Sequence, residues 1–412
     1  MFLAIYQVMS VRSAPSVVLA LSLALVVALP ALSTTDDPTN NLSAGNPAVA
    51  VLGSPSLDLG VLRAALDAGQ LIVRLADGEH TLALAPNDDL LAADAPVLVD
   101  GLPAARPDIQ LYAGLLDDDP RLPARMSVTP DGVQGVIRTL FGAYEIATHD
   151  GNVRLTPVGA GPDQRIDYEP HELEALADSD PDTTDLLADL SAKQGPTGCL
   201  GAAPEANPTM VDFVQGDSDP LTLQVVVVGD QPYGTRYGAS WAAKQLQVLN
   251  DMDAVYEANF NINLQVVAQL LDSAGTTYTS NDPSVLLNQL RSTWISNPLP
   301  RDLVHLFSNR EFTGDVVGQA YCIGGAHSVL THYTVTQTLG FVEFWQGAIS
   351  VHEVGHMMSA HHHYFNCVEA LTSPGLVDTC TVMAPAINVM DNSLVFSTLS
   401  KTTIRSYGED VL

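Results

Sequence analysis

Hydrophobic positions in the second half of the chain, from residue 221 onward, alternate between strand spacing and helix spacing. Mostly apolar runs at 223–228 and 303–307, each containing one polar residue (Gln224 and His305), predict two buried strands. Between them, apolar side chains recur at helical spacing over about 239–260 and predict one face of a helix, made by Leu249, Met252, Tyr256 and Phe260. This order predicts a mixed sheet with helices packed against it.

Three further elements complete this half of the chain. Alternation of apolar and polar residues over 262–266 predicts a half-buried strand. A helix is predicted to begin at Asp282 and Pro283, because a carboxylate favours the cap and proline favours the first turn. Residues 341–358 are predicted to form a long helix, and a cluster of histidines lies at its end.

The first half of the chain has a different pattern. Residues 51–158 contain short apolar runs separated by turn signals and are predicted to be β-rich. One such run, at 71–75, ends at the turn signal Asp77-Gly78. Residues 159–214 are acidic and rich in turn-forming residues, so they are predicted to be a linker.

The N-terminus has the pattern of a secretory signal. An apolar run at 16–29 follows Arg12 and is broken by Pro30, and small residues come next, so residues 1–33 are predicted to be a signal peptide. The run is short for a membrane span of about 20 residues. We therefore expect a secreted, extracellular protein with no stable membrane insertion after cleavage, with a periplasmic or signal-anchored location as the alternatives.

Charge excludes one class of partner. The chain has 17 Lys and Arg against 47 Asp and Glu, a formal net charge of -30. Nucleic-acid binding requires clustered cations that neutralise phosphates. The composition therefore argues against a nucleic-acid partner.

Five of the eleven histidines lie between His352 and His363. His352 and His356 are four residues apart, so a helix places both on one face, where their nitrogens can bind one zinc ion. Glu353 follows the first histidine and can take a proton from the water that attacks a carbonyl carbon. The pattern predicts a hydrolytic zinc centre.

Catalytic zinc sites keep three protein ligands and one open position. One group of such enzymes takes the third ligand from a glutamate on a later helix, and here Glu369 is close for that role and Glu409 is near the chain end. Another group uses a histidine six residues past the second ligand, after a sharp turn. That position is His362.

The segment from His352 to His362 resembles the metzincin signature HExxHxxGxxH. Glu353 and His356 occupy the second and fifth positions of that signature. Downstream, the pattern Cys-x-x-Met ending at Met383 resembles the methionine turn of the reprolysin (adamalysin, ADAM-like) branch. The resemblance covers roughly 215–412. It implies a zinc endopeptidase with Zn²⁺ on three histidines, Met383 beneath them, and proteins or peptides as substrates.

The same resemblance implies two further features. Substrate peptides in this family lie along an edge strand, here near 318–324, which gives Ala320 and Tyr321 as substrate-binding residues. A weaker resemblance to the family propeptide covers about 51–150, including Tyr112-Ala113-Gly114 and a Val128–Gly135 segment. Residues 34–205 are therefore expected to be a propeptide that inhibits its own catalytic domain, 215–412.

Two residues depart from the family pattern. Ser359 stands where the family has a glycine, and the left-handed backbone usual at that turn costs a non-glycine residue roughly 1–2 kcal/mol. His363 follows the third histidine, where reprolysins usually have an aspartate that supports the methionine turn.

Four cysteines raise two hypotheses about pairing. Cys367 and Cys380 flank the segment before the methionine turn and are expected to form a disulfide. Cys199 lies between the propeptide and the catalytic domain, where its thiolate can occupy the open zinc position of a latent precursor. The alternative is a disulfide between Cys199 and Cys322, which uses every cysteine.

The sequence thus predicts a mixed α+β, or α/β, catalytic domain of metzincin type preceded by a β-rich prodomain. The predicted function is a secreted zinc endopeptidase made as a latent precursor. Two alternatives are a zinc amidase acting on cell-wall peptide and a non-catalytic secreted binding protein with a degenerate metzincin domain.

Overall fold

The structure is a computed structural model that describes residues 51–52, 57–140, 142–159, 219–314, 316–362, 381–384, 387 and 394–412. The predicted signal peptide at 1–33, most of the predicted linker, and the predicted start of the catalytic domain lie outside these residues. Among the helices it describes, none is both long enough and apolar enough to cross a membrane.

Strands from the first half of the chain form a nine-stranded sheet. They are β1 (Val51–Leu52), β2 (Leu57–Asp58), β3 (Gln70–Leu75), β4 (Gly78–Pro86), β7 (Gln110–Leu116), β8 (Pro123–Thr129), β9 (Gly132–Thr139), β10 (Gly142–His149) and β11 (Asn152–Pro157). Their order in the sheet is β1-β3-β4-β7-β8-β9-β10-β11-β2. Helix α1 (Leu59–Asp67) precedes β3.

The second half is built on a seven-stranded sheet. Its strands are β5 (Val97–Val99), β6 (Leu102–Pro103), β12 (Leu221–Gly229), β13 (Ile262–Leu271), β14 (Leu303–Ser308), β15 (Gly318–Ala320) and β16 (Tyr333–Gln337). They lie in the order β15-β16-β14-β12-β13-β5-β6. Among the described residues, the α-helices of this half are α2 (Gln231–Tyr237), α3 (Trp241–Phe260), α4 (Pro283–Trp294), α5 (Glu343–Met357) and α6 (Thr398–Val411).

Helices cover both faces of this sheet. Alternate residues of β12 point to opposite sides: Val225 and Val227 belong to the core shared with α3 and α5, and Val226 and Val228 to the core shared with α4. Strands buried on both faces are expected to be continuous apolar runs, and the four valines at 225–228 form one. The predicted mixed α+β fold, with helices against a mixed sheet, is confirmed.

Helix α4 begins as predicted. The Asp282 carboxylate accepts hydrogen bonds from the backbone N–H groups of Ser284 (2.9 Å) and Val285 (3.2 Å), and Pro283 occupies the first turn. These bonds satisfy donors that have no partner inside the helix.

One short hairpin from the first half of the chain joins the sheet of the second half. Strand β5 pairs in parallel with β13, with Val97 opposite Gln269, and β6 extends it antiparallel. Just before β5, the Val266 N–H donates to Leu90 O (2.6 Å) and the Ala92 N–H donates to Val266 O (3.0 Å). Part of the predicted β-rich region therefore contributes an outer strand to the sheet beneath the histidine cluster.

The nine-stranded sheet packs on the outer face of α3. Arg125 on β8 is buried and forms ion pairs with Asp253 (3.0 Å) and with Glu257 on that helix. The Asn250 amide of α3 donates to Met126 O (3.3 Å) and Tyr112 O (3.4 Å). Helix α3 is thus covered on two sides, by the apolar core on one and by a polar contact surface on the other.

Candidate active site

Helix α5 carries His352, Glu353 and His356, and all three side chains are buried. The two histidines are one helical turn apart, and their Nε2 atoms are 3.0 Å apart. His362, beyond the helix, places its Nε2 3.0 Å from that of His352 and 3.1 Å from that of His356. Three imidazoles from a short stretch of chain therefore converge on one point.

The turn after α5 brings His362 back to the helix. Ser359 adopts a left-handed backbone with φ of 77°. Its N–H donates to His356 O (2.9 Å), and the Ala360 N–H donates to Gly355 O (2.9 Å). The serine thus takes a left-handed conformation that ordinarily favours glycine, at a cost of roughly 1–2 kcal/mol. His361 is only half-buried and is not in the cluster, and His363 lies outside the described residues.

Backbone carbonyls orient two of the rings. His352 Nδ1 lies 2.8 Å from Val382 O, and His356 Nδ1 lies 2.7 Å from Ala360 O. Only a protonated Nδ1 can donate to a carbonyl, so these contacts assign the tautomer in which Nε2 carries a lone pair. Both lone pairs then face the centre of the cluster, as metal binding by these nitrogens requires.

The cluster fits a zinc ion. Nitrogen ligands about 2.0–2.1 Å from zinc in a tetrahedral shell lie roughly 3.3 Å apart, and the three Nε2 separations here are 3.0–3.1 Å. Lone pairs this close, and buried, repel one another unless a cation or proton lies between them. These three residues could therefore hold a metal with one position left open.

Glu353 is fully buried. Its carboxylate lies against Gly318 on strand β15, where any side chain at position 318 would collide with it. The sequence placed Gly318 in the predicted edge strand near 318–324 but did not relate it to Glu353, because the two residues are distant in the chain and only the fold brings them together.

Met383 lies directly beneath the helix that carries the histidines. It is buried, and its Sδ is only 2.7 Å from the point where a Cβ on Gly355 would lie. The residue before it, Val382, supplies the carbonyl that orients His352. The structure thus places the predicted methionine turn under the cluster, while Cys380, just before the turn, lies outside the described residues.

The predicted substrate-binding segment lies at an edge of the sheet in the part of the chain that is described. Among the described residues, strand β15 pairs antiparallel with β16 and has no partner strand on its other side. Ala320 lies opposite Thr334. The Tyr321 N–H continues this pairing by donating to Tyr333 O (2.9 Å). The free edge of β15 runs past Glu353, so an extended chain could pair with it.

The predicted roles of the cysteines stay predictions. Cys322 is buried just after the edge strand, whereas Cys199, Cys367 and Cys380 lie outside the described residues. Both disulfide hypotheses, and the hypothesis of a Cys199 thiolate at the zinc centre, involve at least one of these three cysteines.

Comparisons with known proteins give one family match. A search of curated proteins finds no match to this chain. Among solved structures, metalloproteinase-II from Bacteroides fragilis is similar, with 12% sequence identity, a TM-score of 0.45, and coverage of 88% of this chain and 99% of that one. Residues 220–396, somewhat less than half of the chain, match the family model Reprolysin_5, metallo-peptidase family M12. The part of the chain that carries the histidine cluster is therefore similar to the M12 metallopeptidases, which supports a metal-dependent peptidase.

Proposed function

We propose that the protein is a zinc-dependent endopeptidase, secreted and made as a latent precursor. One observation carries the proposal: three buried imidazole nitrogens within 3.1 Å of one another, beside a fully buried glutamate on the same helix. Burying these groups without a cation is costly, whereas a hydrolytic metal centre uses all of them.

His352, His356 and His362 would hold the ion. When bound, zinc supplies Lewis-acid activation of water and of the substrate carbonyl. Glu353 takes the proton from the attacking water and then gives it to the leaving amine. The Val382 and Ala360 carbonyls hold the ligand rings in the required tautomer. These roles explain why each polar group of the cluster is buried.

The free edge of β15 supports a peptide substrate. A chain paired with this edge at Ala320 and Tyr321 would run alongside Glu353, and main-chain pairing accepts many sequences. A peptide bond held there lies next to both the base and the histidine cluster. This geometry favours an endopeptidase over a binding protein, in which a buried glutamate would have no role.

Export and latency form the remaining parts of the proposal. Residues 1–33 would direct secretion, and residues 34–205 would act as an intramolecular inhibitor. Among the described residues, those of the first half contact α3, β13 and the start of α5, and Lys244 joins Gln134 to Glu343. Cys199 would contribute to the inhibition through its thiolate or through a disulfide with Cys322.

Turnover by a Glu353→Gln variant tests the mechanism. We expect the purified variant to bind one zinc ion yet to lose nearly all peptide hydrolysis. Hydrolysis is measured by mass spectrometry on a peptide library, before and after limited proteolysis. Glu311→Gln, at an exposed glutamate, is the matched control and should retain full activity. Normal peptide hydrolysis by Glu353→Gln would reject the proposed function, and hydrolysis of cell-wall peptide alone would replace it with the amidase.

A further inference from the structure

Gly318, on the edge strand β15, lies against the carboxylate of Glu353. A Cβ built on this glycine would lie 2.9 Å from Glu353 Cδ and 3.0 Å from Cγ, and closer still to Oε1. Contacts of this kind below 3.0 Å are essentially never seen for real Cβ atoms. A side chain at position 318 and the carboxylate in its present place are therefore mutually exclusive.

The backbone of helix α5 around Glu353 is held in place and cannot move away from position 318. Helix α5 is anchored on both sides of Glu353, because Val351 O accepts a hydrogen bond from the Tyr256 hydroxyl (3.0 Å) and the two flanking histidines bond to Val382 O and Ala360 O. Any movement of the helix would break these bonds and move the imidazoles apart.

The backbone on the strand side is held equally well. Gly318 pairs with Thr336 on β16, and the Gln337 N–H donates to Val317 O (2.7 Å). The Ser284 hydroxyl of α4 donates to the Gln319 side chain (3.0 Å). With both backbones fixed, the flexible end of Glu353 is the part that would move if position 318 carried a side chain.

We propose that Gly318 is a positioning residue: its missing side chain keeps the Glu353 carboxylate between the edge strand and the histidines. This inference rests on the proposed function, in which Glu353 is the base and β15 binds the substrate. The same glycine serves both contacts, since it lets the carboxylate touch the strand along which the peptide would lie. Displacement of a catalytic group by about 1 Å can cost on the order of 100-fold in rate.

Gly318→Ala in the full-length chain, assayed before and after limited proteolysis like Glu353→Gln, is the test. We expect kcat to fall by about 100-fold with KM changed by no more than about threefold, because the base moves while the strand edge remains. The zinc-to-protein ratio and the thermal midpoint should stay at the wild-type values. Gly347→Ala, on the same helix as Glu353, is the matched control, since a Cβ there would meet nothing closer than 4.0 Å.

A second variant separates positioning from a structural role. Aspartate is one methylene shorter than glutamate, so it avoids the added methyl group. We therefore expect the fold-decrease in kcat caused by Glu353→Asp to be at least about tenfold smaller in the Gly318→Ala background than in the wild type.

Several outcomes would overturn the inference. They are wild-type kcat in Gly318→Ala, a parallel loss of zinc and thermal stability, or strictly multiplicative effects of the two substitutions. If Glu353→Gln abolishes turnover while Gly318→Ala keeps the wild-type kcat, only this inference fails. Retained turnover in Glu353→Gln would instead remove the proposed function.

Discussion

At the residue scale, Ser359 determines which histidine returns to the cluster. Its left-handed backbone reverses the chain directly after α5, and the hydrogen bonds to His356 O and Gly355 O close the turn. A different turn would bring another histidine of the run to the same place. The sequence alone indicated the conformational cost of the serine but not whether the backbone would accept it.

The three consecutive histidines give a direct test of this register. We expect His362→Ala to lower zinc affinity by about 10- to 100-fold or more, as measured by competition with a chelator, because the His362 Nε2 faces both other nitrogens. His361→Ala should leave zinc binding close to wild type. A larger effect of His361→Ala would show that the turn is out of register by one residue.

His305, on β14, gives a prediction about acid stability. It is buried, its Nδ1 lies 2.7 Å from the Thr334 hydroxyl, and desolvation lowers its pKa to about 3. Unfolded histidine has a pKa of about 6.5. Between these two pKa values the unfolded chain binds a proton that the folded chain does not, so stability falls as the pH falls from about 6.5 towards 3.

Replacing this histidine should flatten that dependence. The free energy of unfolding is measured by urea titration at pH 6, 5 and 4. It should fall less steeply with pH in His305→Gln than in the wild type, and the two slopes should differ by at most about 1.4 kcal/mol per pH unit. His149→Gln, at an exposed position, provides the comparison. Parallel curves for His305→Gln and the wild type would contradict the assignment.

At the scale of elements, helix α5 contains a residue of low helix propensity at the point where another segment packs closely against it. Gly355 lies in the interior of α5, where alanine would ordinarily stabilise a helix by about 1 kcal/mol. A Cβ at this position would, however, lie 2.7 Å from Met383 Sδ and 3.3 Å from Phe396 Cε1. The glycine therefore allows the methionine turn to lie directly against the helix.

Whether Gly355→Ala raises or lowers the stability of the protein shows which is larger, the gain in helix propensity or the loss of close packing. We expect the variant to be less stable by about 1–3 kcal/mol, because overpacking outweighs propensity, and to bind zinc more weakly as Val382 moves away from His352. Thermal denaturation of the apo and zinc-loaded protein measures both effects. Gly347→Ala should instead be neutral or stabilising, and a stabilised Gly355→Ala would mean that the turn yields without cost.

Most elements of the second half could be predicted from local patterns. The apolar run of β12, the helical spacing of α3 and the cap at Asp282 each specify their element without help from the rest of the chain. The cluster of His352 and His356 likewise follows from helix geometry. Pairing of β5 with β13, and the contact of Gly318 with Glu353, join residues distant in sequence, and no local pattern encodes such contacts.

At the scale of the whole molecule, the two halves meet through a buried polar surface on α3. Arg125 is the centre of this surface, since it lies between Asp253 and Glu257. Asp253 is also tied to its own half, because it accepts a hydrogen bond from the Leu264 N–H (2.8 Å). A buried carboxylate that loses its cation is strongly destabilising.

Arg125→Ala should therefore loosen the first half from α3. We expect a loss of about 3 kcal/mol in the free energy of unfolding, with faster amide hydrogen exchange along β7, β8 and the outer face of α3. Arg121→Ala is the control, because the Arg121–Asp119 pair is exposed and such pairs contribute about 0–1 kcal/mol. Equal exchange rates in the two variants would argue against Arg125 as the link.

The parallel pairing of Val97–Val99 with β13 also orders events during synthesis. The ribosome makes β5 long before it makes its partner, so this strand must wait with an unpaired edge until residues 262–271 emerge. Parallel pairs between distant segments form slowly, and unpaired edges promote aggregation while they remain exposed. The outer strand β5 can therefore take its place in the sheet only after residue 271 has been made.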